Sequence, residues 1–115
     1  MKRIIRTYGG YFERFIKTLL PKELHKLNYI ISLLETSDRM PVKFIKYIRD
    51  DLYELRMEYE GNIYRVFFIF DDNCIVVLFN GFQKKTEKTP EKDINKALKL
   101  KEAYYAEKRS HDKKL

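Results

Sequence analysis

The chain has 115 residues, the size of one domain, and 44% of them are hydrophobic, 15% aromatic and 36% charged, which excludes a disordered chain. Twenty-four Lys and Arg against 17 Asp and Glu leave a formal net charge of +7, a balance that favours a polyanionic partner. One cysteine, two histidines far apart in sequence and no apolar run approaching about eighteen residues exclude a disulfide framework, a thiolate zinc centre and a membrane-spanning helix, so no metal, cofactor or membrane partner is expected.

Lys2 to Tyr8 carries Ile4 and Ile5 between charges and reads as a short strand, stopped by Gly9-Gly10. The N-terminus has basic residues but no apolar core of a secretion signal, which predicts a cytoplasmic protein. From Tyr11 to Leu20 the apolar residues Tyr11, Phe12, Phe15, Ile16, Leu19 and Leu20 follow the spacing of an amphipathic helix. Pro21 opens a second helix whose stripe runs through Leu24, Leu27, Ile30, Ile31 and Leu34 to about Glu35. The two form an α-hairpin, closed by the polar loop Thr36 to Arg39. Met40 to Asp51 fits a short strand or a helical turn, and a short extended piece with irregular ends is preferred.

Leu52 to Lys84 is strongly β. Leu52 to Tyr59 alternates, Gly61-Asn62 signals a two-residue hairpin turn, and Ile63 to Phe70 is rich in aromatic and branched residues. Asp71 to Asn73 makes a second turn, and Ile75 to Phe82 is apolar on both faces, so both faces should be covered there. Thr89 as N-cap, Pro90 at the first position and acids in the first turn start a last helix, with Ile94, Ala97, Leu98, Lys101 and Tyr105 on one side. Glu107 to Leu115 reads as a charged, frayed tail. The expected fold is α+β, with residues 1–115 as one domain. A small antiparallel sheet, a three-strand meander plus the N-terminal strand, packs with the N-terminal α-hairpin and the C-terminal helix.

No Gly-rich phosphate loop and no nucleophile elbow is present. What carries chemistry is a set of cations on the strands, placed by side-chain alternation. With Gly61-Asn62 as the turn, Glu58 faces Arg65 and Arg56 faces Phe67. Tyr53, Leu55, Met57, Tyr64, Val66 and Phe68 then share an apolar face for the helices. Glu54, Arg56, Glu58, Arg65, Phe67 and Ile69 share the other. With Asp72-Asn73 as the second turn, Arg65 faces Asn80, and Val76, Leu78, Asn80, Phe82 and Lys84 join that second face. A bulge would swap Lys84 for Lys85. Two arginines and a lysine on a partly aromatic surface suit a phosphodiester. The plainer alternatives are a cross-strand Glu58–Arg65 ion pair and a solvated basic exit from the sheet at Lys84, Lys85 and Lys88.

Three segments in order, Leu52-Tyr53-Glu54-Leu55-Arg56, Ile63-Tyr64-Arg65-Val66-Phe67-Phe68 and Gly81-Phe82-Gln83-Lys84-Lys85-Thr86 with Lys88-Thr89-Pro90, resemble the RelE/ParE superfamily. In particular they resemble the HigB-like, phage-derived branch of type II toxin–antitoxin toxins. That resemblance implies helices packed on a small antiparallel sheet and a ribosome-dependent, metal-independent endoribonuclease that cuts mRNA. It also implies a cognate antitoxin, in this branch usually a helix-turn-helix protein. Carried over by position, the catalytic residues are Arg65, Arg56, Lys84 and Lys85. Arg65 would bind the scissile phosphate with Arg56 in support, and Lys84 or Lys85 would neutralise charge or donate a proton. Asn80, Phe67, Phe82 and Lys88 would bind substrate, with Phe67 or Phe82 as a stacking surface for a displaced base. The sequence departs from members that use a histidine near the cut, since none lies in the matching region. ParE-like inhibition of DNA gyrase and a non-catalytic binding homologue are the competing expectations.

Overall fold

The computed structural model describes residues 2–113. The elements in chain order are β1 (Ile4–Thr7), α1 (Tyr11–Ile16), α2 (Pro21–Thr36), β2 (Ile45–Arg49), β3 (Leu52–Tyr59), β4 (Asn62–Asp71), β5 (Ile75–Lys84) and α3 (Glu91–Lys113). The fold is α+β, with one five-stranded sheet in the order β1-β5-β4-β3-β2. The sheet is mixed rather than purely antiparallel, because β1 runs parallel to β5, with Ile4 beside Ile75 and Thr7 beside Leu78. The segment from Met40 to Asp51 supplies the fifth strand, β2, paired antiparallel with β3 through a turn at Asp50 and Asp51.

Both faces of the central strands are covered, as the uninterrupted apolar run of β5 requires. Leu55, Met57, Tyr64, Val66, Phe68, Val76 and Leu78 pack under α1 and α2 with Phe12, Phe15, Leu27, Ile30 and Leu34. Leu52, Phe67, Ile69, Val77 and Phe79 pack under α3 with Ile94 and Ala97. Helix α1 ends at Ile16, earlier than its apolar stripe suggests. There the Thr18 and Leu19 N–H groups turn back to the Phe15 and Ile16 carbonyls, and Thr18 Oγ1 donates to the Phe15 carbonyl. It lies so close to β5 that a Cβ on Gly81 would sit 2.5 Å from the Phe15 ring. Helix α2 starts at Pro21 as expected, and Glu23 fixes that start. Its Oε1 accepts from the Leu20 N–H at 2.8 Å, and its Oε2 accepts from the Tyr64 hydroxyl. Burial and the Glu23 carboxylate push the Tyr64 phenol up to about 12.

Two turns differ from their sequence reading. The β3–β4 turn is Glu60-Gly61, both at positive φ, and not Gly61-Asn62. The register therefore moves by two residues: Arg56 lies opposite Arg65, and Glu58 lies opposite Ile63, so the expected Glu58–Arg65 cross-strand pair does not form. The β4–β5 turn has three residues, Asp72 to Cys74, because Asp71 pairs with Ile75. That turn puts Val76 and Leu78 on the α1–α2 face, opposite to expectation. A bulge between the Val66 and Phe68 pairings then shifts the alternation once more, so Phe82 lies opposite Arg65. The two one-residue displacements cancel, and Phe82 and Lys84 return to the α3 face.

Helix α3 continues through Lys113, so most of the segment expected to fray is helical; Lys114 and Leu115 lie outside the described residues. Its C-terminal half is fastened to the end of β4. Buried Asp71 accepts hydrogen bonds from Tyr104 at 2.5 Å and from Lys108 at 2.9 Å. Burial works to raise the Asp71 pKa, but the Tyr104 and Lys108 hydrogen bonds and the Lys108 and Arg6 charges hold it below the ordinary value. A carboxyl with a depressed folded pKa stabilises the fold above its unfolded pKa, and that contribution fades as pH falls through the folded value. Asp71→Ala is expected to cost about 2 kcal/mol at neutral pH. Urea denaturation across pH checks this, with the difference from wild type shrinking in acid.

Candidate phosphodiester site

The open end of the α3 face holds the cations. On adjacent strands Lys46 lies beside Glu54, Arg56 beside Arg65, and Arg65 beside Phe82, while Lys84 pairs with Ile63 one pleat further along. Two arginines directly opposite each other repel, so something must hold them. That group is Glu54. Its side chain is 1% exposed, and its Oε1 lies 3.2 Å from Arg65 Nε and 3.6 Å from Arg56 Nε. Its Oε2 accepts a hydrogen bond from Thr89 Oγ1 at 2.9 Å. Arg65 is nearly as buried, at 6%, and its Nη1 donates to the Tyr64 carbonyl at 3.1 Å. Arg56 keeps 34% of its side chain in solvent.

Burial pulls the Arg65 guanidinium below its ordinary pKa; the Glu54 charge opposes this and the Arg56 charge adds to it. Lys84 is also lowered, first by burial and then by Arg65, with Glu54 opposing and Arg56 and Lys46 adding to the effect. Groups shifted by burial together with nearby like charges are a mark of functional sites. Between the sheet and the start of α3 lies a cleft of about 300 Å³, whose charged lining is Lys46, Arg56, Lys84 and Lys88 with Glu54 and the exposed Glu87, and which Thr89 also borders.

The structure therefore brings Arg56, Arg65, Lys84 and Lys88 together. Lys85 is exposed one residue past β5 and does not line this cleft. Phe67 is fully buried beneath α3, so it offers no stacking surface; half-buried Phe82 rests on it with ring centroids 5.7 Å apart. Asn80 is buried and turned toward α3, where its Nδ2 donates to the Asp93 carbonyl at 3.3 Å. Thr89 does not cap α3, which begins one residue later than expected; its hydroxyl serves Glu54 instead. His25 is exposed, and so is Cys74 in the β4–β5 turn.

Sequence reasoning placed Glu54 on this face but gave it no role. Its even spacing from Arg56 on a strand whose other face is apolar is the signal that could have found it. Lys46 went unnoticed because the register of β2 is invisible in its sequence. Glu54→Ala leaves Arg65 buried without its partner, and a loss of about 3–5 kcal/mol is expected, measurable as a lowered urea midpoint. Glu54→Gln, which keeps an acceptor for Thr89, is expected to lose less.

No curated protein matches the chain. A family model for phage-derived Gp49-like proteins (DUF891) matches residues 14–102, from α1 into the middle of α3, and spans every cation of the cleft. The chain therefore belongs to the phage-derived Gp49-like family, a RelE-like toxin family.

Proposed function

We propose that this protein is the HigB-like toxin of a type II toxin–antitoxin pair and that it acts as a ribosome-dependent mRNA endoribonuclease. The observation that carries the reading is the convergence of Arg56, Arg65 and Lys84 around one buried carboxylate at the mouth of a cleft. In the reaction the ribose 2′-oxygen attacks the adjacent phosphorus. The bond from phosphorus to the 5′-oxygen breaks, leaving a 2′,3′-cyclic phosphate and a 5′-hydroxyl. Negative charge builds on the phosphorane oxygens, and fixed cations stabilise it without reorganising.

Arg56, the exposed guanidinium, grips the phosphate with its planar fork. Arg65, buried behind it, acts chiefly as fixed positive charge and holds Glu54 in place. Lys84, with its lowered pKa, donates the proton to the departing 5′-oxygen. Both Glu54 oxygens are already engaged, so Glu54 positions rather than accepts the 2′-hydroxyl proton. That proton goes to a base outside this cluster, with the ribosome holding the codon in line. Neutralisation falls to a cognate antitoxin of helix-turn-helix type, whose acidic segments suit the cationic surface.

Induction in cells tests the reading. New mRNA 5′ ends on stalled ribosomes support it. Unchanged mRNA with altered plasmid supercoiling overturns it in favour of gyrase inhibition. Arg56 is the informative position, because Arg65→Ala would also expose the fold to an unpaired Glu54. Arg56→Ala is expected to lower cleavage about 100-fold or more with an unchanged melting curve, as read by primer extension on programmed ribosomes. Cleavage by the wild type should fall as pH rises through the lowered Lys84 pKa, below the usual lysine range. Lys84→Arg should lose that alkaline limb.

A further inference from the structure

A second cleft of about 440 Å³ adjoins the first and shares Arg56 with it. Its cations are Lys26 of α2, Lys43 just before β2, Arg56 and Arg65, and the exposed Glu58 is its acid. We propose that this cleft is a subsite for the backbone flanking the cleaved phosphodiester, in which Lys26 and Lys43 hold a neighbouring phosphate of a single-stranded RNA. The inference rests on the nuclease reading and extends it from one phosphate to a track.

Three observations carry it. The cleft is anchored rather than loosely draped, because the Arg56 N–H donates to the Phe44 carbonyl at 2.8 Å and Lys26 Nζ donates to the Glu58 carbonyl. Lys26 therefore bridges α2 to β3 and keeps its other protons for a ligand. Lys43 Nζ lies 4.9 Å from the centroid of the Phe44 ring, so an ammonium and an aromatic face stand side by side. That pairing suits a strand whose bases stack while its phosphates meet cations. Finally, Arg56 lines both spaces. A strand gripped there at one phosphate has cations to either side, Lys84 and Lys88 on one and Lys26 and Lys43 on the other.

Salt dependence of RNA binding tests this without requiring cleavage. The probe is a short fluorescein-labelled single-stranded oligouridylate, titrated with the full chain at several salt concentrations. Lys26→Ala with Lys43→Ala is expected to make the slope of log K against log salt shallower by about 0.7, the contribution of the one phosphate that the two ammoniums hold together. Lys26→Arg with Lys43→Arg should keep the wild-type slope, and both variants should be fully folded at the assay temperature, the alanine variant melting slightly lower for want of the Lys26–Glu58 bond. A wild-type slope in the alanine variant, with a reduced one in Arg56→Ala/Lys84→Ala, overturns the subsite and leaves the nuclease reading standing. Absence of oligouridylate binding by the wild type overturns the subsite, whereas the nuclease reading stands or falls by the mRNA 5′ ends on ribosomes. A defect confined to binding of an oligoglutamate peptide assigns the cleft to an acidic protein partner and overturns the subsite.

Discussion

A single buried carboxylate sets the terms for this molecule. Glu54 sits where two arginines from neighbouring strands would otherwise repel each other in a desolvated setting. Removing a charge from water is costly unless it is paired and hydrogen-bonded, and Glu54 is ion-paired to both arginines through Oε1 and hydrogen-bonded to Thr89 through Oε2. The result is a guanidinium pair aimed by strand backbones rather than by a flexible loop. In the proposed reaction such a group needs little rearrangement to meet the phosphate, and electrostatic stabilisation is most effective in that condition.

The position of the cleft follows from how far α3 reaches. Ile94 and Ala97 seal the middle of the sheet against Phe67, Ile69, Val77 and Phe79. The helix begins only at Glu91, and the loop through Lys88 and Thr89 that precedes it lines the cleft together with Lys84 at the end of β5. Thr89 ties that loop to Glu54, so the loop and the guanidinium pair share one anchor. At the other end, Asp71 holds Tyr104 and Lys108. The helix is fastened at both ends, and the opening between loop and sheet is fixed by the fold.

Much of this was legible from residue order. Alternation along β3 and β4 sorted the apolar face from the charged one, and that sorting survived a misplaced hairpin turn because the resulting shift was two residues, which preserves faces. Arg65, Phe82 and Lys84 share a face for a less secure reason. The longer β4–β5 turn and the bulge each invert the alternation, and together they restore it. Neither feature has a signature in Asp71-Asp72-Asn73-Cys74 or Phe79-Asn80-Gly81, which are compatible with several turn lengths. Thr89 was read locally as a cap, and its hydroxyl was claimed instead by a carboxylate 35 positions earlier in the chain. Local patterns record faces and helix starts well. They do not record which distant partner outbids a local one.

The parallel pairing of β1 with β5 has a consequence for synthesis. Ile4 finds its neighbour only at Ile75, and β5 must enter between the first strand and the fourth. Pairings this distant in sequence close late and slow the search for the native state. During translation the amino-terminal strand must wait, unpaired along its inner edge, until nearly the whole sheet has left the exit tunnel. Lys84 belongs to the same late strand, so the guanidinium pair of β3 and β4 is synthesised first and gains its ammonium neighbour only when β5 has emerged and paired.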